Sequence, residues 1–216
     1  MNLPTKITFS RIILVVVLFL FLFIYQITMQ YFPESFNGLA YGPSESPIYL
    51  EYLIAFIVFV VAASTDALDG YLARKNNQIT DLGKFLDPIA DKMLVNATLI
   101  FLCFPLHEFQ LNISVYIVIL FVVRDLIVDG MRLMAAKKNI VVAANVFGKL
   151  KTIFQMIAIP VYLLNGFPFS YFDASWPKGL RIADFLIYLA LFFSILSMII
   201  YLYQNRKVFL NKKEND

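Results

Sequence analysis

Six long apolar runs, at roughly residues 12–27, 49–63, 93–104, 113–136, 153–164 and 182–203, leave this chain few folds to choose from. In lipid a backbone N–H or C=O finds no water, so a crossing segment of this kind satisfies its own hydrogen bonds by coiling into an α-helix. Composition agrees: of the 216 residues, 60% are hydrophobic and only 15% charged, against about 25% charged in soluble domains. A span needs about 20 residues, so the third run is extended back toward Leu86 and the fifth toward Phe147. The expectation is an all-α integral membrane protein with six transmembrane helices.

Basic residues orient those spans. Of the 18 Lys and Arg, only Lys178 and Arg181 lie in the connections after the first, third and fifth runs. The others gather at the N-terminus (Lys6, Arg11), between the second and third runs (Arg74, Lys75, Lys84, Lys92), between the fourth and fifth, and at the C-terminus. Cytoplasmic connections carry the excess of Lys and Arg, so both termini are placed in the cytoplasm. The chain reads as a single domain over 1–216, with a short amphipathic segment at 1–11 on the cytoplasmic surface and a charged tail at 204–216. The first run is too long and too aromatic for a signal-peptide core, no small-residue cleavage site follows it, and it is expected to be retained.

The net charge of +3 is a topology signal and an attraction to anionic lipid headgroups, and no basic stripe points to nucleic acid. Residues 31–47, with Pro33, Gly38, Gly42, Pro43 and Pro47, read as an irregular outer connection. Residues 166–179 carry Tyr171, Phe172 and Trp176, which suits an interfacial aromatic belt. Cys103, the single cysteine, lies in an apolar run and excludes an internal disulfide; it reads as a small core side chain. His107, the single histidine, falls in a short loop, which weighs against histidine-based metal binding or catalysis.

The chemistry concentrates directly after the second run, in Asp66-x2-Asp69-Gly70-x2-Ala73-Arg74-x8-Gly83-x3-Asp87-x3-Asp91. On a helix continuing from that run, Asp66, Asp69, Gly70, Ala73 and Arg74 share one face, because residues three and four apart are neighbours. Asp87 and Asp91 stack the same way at the start of the third span, and residues 75–81 supply the turn between. Carboxylates at a lipid-embedded helix end need a compensating charge. For an all-oxygen cluster that charge is divalent metal, and two Mg2+ or Mn2+ ions suit four carboxylates better than one. Gly70 and Ala73 allow close approach of a ligand or helix, Arg74 suits a phosphate or base edge, and Pro88 frees a carbonyl or bends its helix. Asp81 fits neither face and reads as a loop acid.

This segment resembles, at every position, the signature of the CDP-alcohol phosphatidyltransferase family. Asn2-Leu3-Pro4 with Thr8 and Arg11, Arg124-Asp125 with Arg132, and Gly148-Lys149-x-Lys151-Thr152 are similar to the branch of that family that makes phosphatidylglycerophosphate. The branch usually has Asn where Thr5 stands and often Glu where Asp125 stands. The resemblance implies that Asp66 and Asp87 bridge two metal ions, that Asp69 completes the first site, and that Asp91 ligates the second and acts as general base. It implies that Gly70, Ala73, Arg74, Thr80 and Gly83 hold the cytidine diphosphate of CDP-diacylglycerol, and that CMP leaves without a covalent enzyme intermediate. A homodimer in a bacterial cell membrane, with its active site facing the cytoplasm, is implied as well.

For the acceptor, glycerol 3-phosphate is a dianion, and Arg124, Arg132, Lys149 and Lys151 form a cationic group near the cytoplasmic ends of the fourth and fifth spans. Arg124 lies within an apolar run and needs a partner, with Asp125, Asp129 or substrate phosphate available. Another acceptor such as inositol phosphate, serine or phosphatidylglycerol keeps the same chemistry. A divalent-cation transporter is the alternative of a different class, but it calls for acids near the midplane of several helices. A prenyltransferase calls for two separate Asp-rich boxes and more spans.

Overall fold

Each of the apolar runs coils into a helix. The fold is given by a computed structural model that describes residues 3–31, 39–43, 46–75, 81–108, 110–138 and 145–206, with side chains described except at 3–7, 30, 66–75, 81–82 and 84–85. In chain order the elements are α1 (Leu3–Tyr31), β1 (Ala40–Tyr41), β2 (Ile48–Tyr49), α2 (Leu50–Lys75), α3 (Asp81–Phe101), α4 (Val115–Lys137), α5 (Val146–Leu163), α6 (Ser170–Asp173) and α7 (Ile182–Gln204). The expected all-helical architecture is present, apart from the two-residue antiparallel pairing of β1 with β2 between α1 and α2.

Local chemistry sets the helix starts. Asn145 caps α5 by accepting the Phe147 N–H at 3.0 Å. At α7 the Asp184 carboxylate accepts from Arg181 N and Gly179 N, both at 3.0 Å, which satisfies donors that no helical turn reaches. Pro88 lies inside α3 rather than at its start. With no N–H to give, it leaves the carbonyl four residues earlier without a helical donor.

α5 packs against α7, α1 against α2 and α3, and α4 against α7. The core between them holds Tyr52, Phe59, Leu99, Phe121, Ile159, Tyr162 and Ile187, while α1, α4 and α7 also turn Ile24, Leu126 and Phe192 outward. A helix apolar on both its inner and its outer face belongs in lipid. Among the described residues, Thr8–Met29, Val146–Leu163 and Ile182–Gln204 are long and apolar enough to cross a membrane by themselves, and Leu50–Thr65 is a shorter apolar stretch. α3 and α4 carry charged side chains mid-helix, Asp87, Asp91 and Lys92 on one and Arg124, Asp125, Asp129 and Arg132 on the other.

Two sequence expectations change. The segment at 1–11 is not a separate surface element: from Leu3 it is the first part of α1, with Thr8 and Arg11 buried. The connection at 166–179 holds the short helix α6, whose Asp173 accepts from Ile182 N at 2.7 Å, although Tyr171 and Phe172 remain exposed as an aromatic belt requires. The turn residues 76–80 and the tail beyond 206 lie outside the described residues.

The bundle has two ends of different character. At one, the starts of α1, α3 and α5 meet the ends of α4 and α7. At the other, His107 pairs with the buried Glu51 and stacks on Tyr49 at 3.6 Å, so the single histidine has a packing role. There Tyr52 Oη also accepts from Leu106 N at 3.0 Å, and Asn165, buried with φ 53°, accepts from Leu111 N at 2.9 Å and donates to Pro47 O at 2.8 Å. Asn165→Ala strands the buried Leu111 N–H and the part-buried Pro47 carbonyl and should cost about 1–3 kcal/mol. Thermal unfolding of the purified protein in detergent checks this, and a midpoint equal to wild type would contradict it.

Candidate active site

α3 presents Asp87 and Asp91 one turn apart toward a cavity of about 700 Å³. Both carboxylates are held from α1. Thr8 Oγ1 donates to Asp87 Oδ1 at 2.8 Å, and Arg11 Nη1 donates to Asp91 Oδ1 at 2.9 Å. Thr8 and Arg11 are three apart on α1, matching the four-residue step on α3, so two crossing helices meet residue for residue. An Arg at the start of an apolar run needs a buried partner, and that was the signal by which sequence could have tied Arg11 to the acids.

The remaining cavity walls come from α4, α5 and α7, and they carry the basic residues. Arg124 is nine-tenths buried, which is tolerable only with several partners. Its Nη1 donates to Asp125 Oδ1 at 3.0 Å, its Nε to the Ser194 carbonyl at 3.3 Å, and its Nη2 to Ser197 Oγ. Of the partners that sequence allowed, Asp125 is the one present. Asp129 pairs instead with Lys92 across the α3–α4 gap. Lys151, also buried, donates to both Asp125 oxygens, at 2.7 and 2.9 Å. Asp125 thus serves two cations from two helices.

Nearer the mouth, Arg132 Nη2 donates to Tyr201 Oη at 2.9 Å, and its guanidinium lies over the Tyr201 ring at 5.4 Å. Tyr201 Oη also accepts from Asn145 N at 3.3 Å. Ser194, Ser197 and Tyr201 stand at i, i+3 and i+7 on α7, so one helix face grips both arginines. Sequence reading passed over these three, because small hydroxyls and a tyrosine in an apolar run resemble ordinary packing. Lys149 lines the cavity, and Asn145 Nδ2 is a buried donor with no partner among the described residues.

The structure therefore brings together six of the expected site residues: Asp87, Asp91, Arg124, Arg132, Lys149 and Lys151. Asp66, Asp69, Gly70, Ala73 and Arg74 fall on the last turns of α2, whose backbone is helical through Lys75 as expected, but their side chains lie outside the described residues. Gly83 is half-buried in the first turn of α3, and Thr80 is outside the described residues. No group of three His, Cys, Asp or Glu side chains forms a metal cluster among the described residues, which include two of the four expected ligands. The donor chemistry fits a hard divalent cation: carboxylate oxygens one turn apart, and neither histidine nor cysteine on the cavity wall.

Removing one partner of a buried pair leaves an uncompensated charge, at a cost of about 3–5 kcal/mol. Asp125→Asn should therefore destabilise strongly, and Lys151→Met should cost much less in the Asp125→Asn background than in wild type. Unfolding midpoints of the two single variants and the double variant measure this coupling, and additive losses would contradict it.

With that geometry in place, comparison with known proteins gives a consistent picture. The family model described as CDP-alcohol phosphatidyltransferase matches residues 1–196. The chain is similar to the "CDP-diacylglycerol--glycerol-3-phosphate 3-phosphatidyltransferase" of Bacillus subtilis (strain 168), 40% identical over 196 residues and 91% of each chain. A protein of the same name from Mycoplasma genitalium is 40% identical over 180 residues, 79% of this chain and 73% of that one. The "CDP-diacylglycerol--glycerol-3-phosphate 3-phosphatidyltransferase 2" of Arabidopsis thaliana is 37% identical over 164 residues, 72% of this chain and 68% of that one. Matched by its family model and by relatives along most of its length, the chain belongs to the CDP-alcohol phosphatidyltransferase family.

Proposed function

We propose that this protein transfers the phosphatidyl group of CDP-diacylglycerol to glycerol 3-phosphate, giving phosphatidylglycerophosphate and CMP. One observation carries the reading: a single cavity joins the carboxylates of α3 to a cationic wall built by α4 and α5. A phosphorylated acceptor needs both, since its phosphate seeks cations and its hydroxyl must lose a proton. The relatives' names point to the same reaction.

In this reading Asp91 takes the proton from the acceptor hydroxyl. The freed oxygen attacks the phosphorus that bears diacylglycerol, the anhydride bond to CMP breaks, and CMP departs with the electron pair. Arg11 fixes the Asp91 carboxylate and Thr8 that of Asp87 while this happens. Arg124, Arg132, Lys149 and Lys151 take the acceptor's phosphate, with Asp125 sharing Arg124 and Lys151 with the incoming dianion. Gly70, Ala73, Arg74, Thr80 and Gly83 hold the cytidine diphosphate portion. Asp66, Asp69, Asp87 and Asp91 would hold two Mg2+ or Mn2+, which when bound offset charge on the phosphate oxygens and the leaving group.

The same reading makes the chain a single domain over 1–216 with six spans, both termini and the active site on the cytoplasmic side of a bacterial cell membrane, acting as a homodimer. Supporting the topology, the cavity lies where α3, α4 and α5 meet their Lys/Arg-rich connections, while Lys178 and Arg181 fall beyond α6 at the other end of α5. A soluble phosphorylated acceptor reaches a cytoplasmic mouth directly.

Positioned acid–base groups contribute roughly 10²–10⁴-fold to rate. Asp91→Asn should lower CMP release from CDP-diacylglycerol by at least about 100-fold while leaving CDP-diacylglycerol binding largely intact, and wild-type turnover would remove the base assignment. Chelation with EDTA should abolish CMP release, and Mg2+ or Mn2+ should restore it. Lys149→Ala and Tyr201→Phe should raise KM for glycerol 3-phosphate with little change in KM for CDP-diacylglycerol. The opposite pattern would contradict the acceptor assignment.

A further inference from the structure

α4 presents two carboxylates one turn apart, and each meets a lysine of a different helix: Asp125 meets Lys151 of α5, and Asp129 meets Lys92 of α3. The two pairs differ in exposure. The side chains of Lys151 and Asp125 are 7% and 12% exposed, whereas those of Lys92 and Asp129 are 40% and 37% exposed. A buried pair cannot part without stranding a desolvated charge. A pair open to solvent is worth little, because water takes the place of each partner. An anion entering the cavity therefore meets Lys151 and Arg124 already held by Asp125, and meets Lys92 as a cation that can change partners at small cost.

Position favours the same exchange. Lys92 and Asp129 both line the cavity, where Arg124 and Arg132 come from α4 and Lys149 and Lys151 from α5. α3 adds the carboxylates Asp87 and Asp91 and, directly after Asp91, Lys92. The charges of Lys92 and Lys151 are near enough to repel each other, and a dianion between them relieves that repulsion. We propose that Lys92 is a further binding residue for the acceptor's phosphate, held by Asp129 before the acceptor binds and passed to the phosphate when it does. The assignment rests on the proposed reaction and deepens it: Asp129 becomes a counter-ion that competes with the substrate, and one phosphate ligand adjoins the proposed base on the same helix.

Kinetics of CMP release by the full-length protein in detergent, with CDP-diacylglycerol, Mg2+ and glycerol 3-phosphate, separate this from an ion pair that merely ties α3 to α4. Lys92→Gln should raise KM for glycerol 3-phosphate by about 10–100-fold, the weight of a hydrogen bond to a charged group, and leave KM for CDP-diacylglycerol near wild type. Asp129→Asn should do the opposite, lowering KM for glycerol 3-phosphate by about 2–5-fold, because Lys92 then has no weak ion pair to leave. A structural tie predicts changes of the same sign in both variants. Changes of the same sign therefore overturn the assignment, as does Lys92→Gln acting on KM for CDP-diacylglycerol alone. Loss of folding in either variant overturns it too, since the pair would then be structural. An unchanged KM in a folded Lys92→Gln with wild-type turnover removes Lys92 and leaves the reaction standing, whereas a wild type that releases no CMP with glycerol 3-phosphate overturns the reaction and this assignment with it.

Discussion

One carboxylate holding two buried cations is the interaction on which this end of the bundle depends. Asp125 accepts from Arg124 on its own helix and from Lys151 on α5, with all three side chains largely buried. Without it two positive charges would stand desolvated between helices, which a domain of ordinary marginal stability could not bear. With it both side chains have a partner that holds them in place. Two helices are thus joined by one internal cluster of ion pairs.

The other contacts extend the same logic. α7 grips Arg124 and Arg132 with Ser194, Ser197 and Tyr201, and α1 grips Asp87 and Asp91 with Thr8 and Arg11. Opposite charges therefore meet around one cavity from separate helices, as Arg11 with Asp91, Lys92 with Asp129 and Lys151 with Asp125. Asp87, Asp91, Arg124 and Arg132 are each oriented by a neighbour from a different helix, the arrangement that preorganises a site. The far end of the bundle does no such work. There His107, Glu51, Tyr49 and Asn165 tie short loops together, and the aromatic side chains of the α5–α7 connection stay exposed.

Much of this was legible in the chain. The apolar runs located the long helices because lipid forces internal hydrogen bonding, and the i, i+4 step of Asp87 and Asp91 placed both on one face. Arg124 betrayed the need for a partner because a guanidinium in an apolar run is costly, and Asp125 supplies it. The pairing of Lys92 with Asp129 was not legible, since which charges meet depends on how α3 crosses α4, and no local spacing encodes a crossing. The α7 contacts were hidden for a related reason: serine and tyrosine in a lipid-facing run look like packing until a neighbouring helix brings an arginine to them. At the N-terminus the amphipathic spacing on 1–11 suggested a surface segment and did not reveal that Thr8 and Arg11 meet the acids of α3.

The central claim is that the carboxylate wall and the cationic wall serve one acceptor that is both an alcohol and a phosphate. The most direct measurement is CMP release by the purified protein with CDP-diacylglycerol and Mg2+, across glycerol 3-phosphate, serine, inositol, inositol phosphate and phosphatidylglycerol. The account predicts release with glycerol 3-phosphate and background rates with the unphosphorylated acceptors. Turnover with serine or inositol at rates equal to glycerol 3-phosphate, or no turnover with any acceptor, would contradict it.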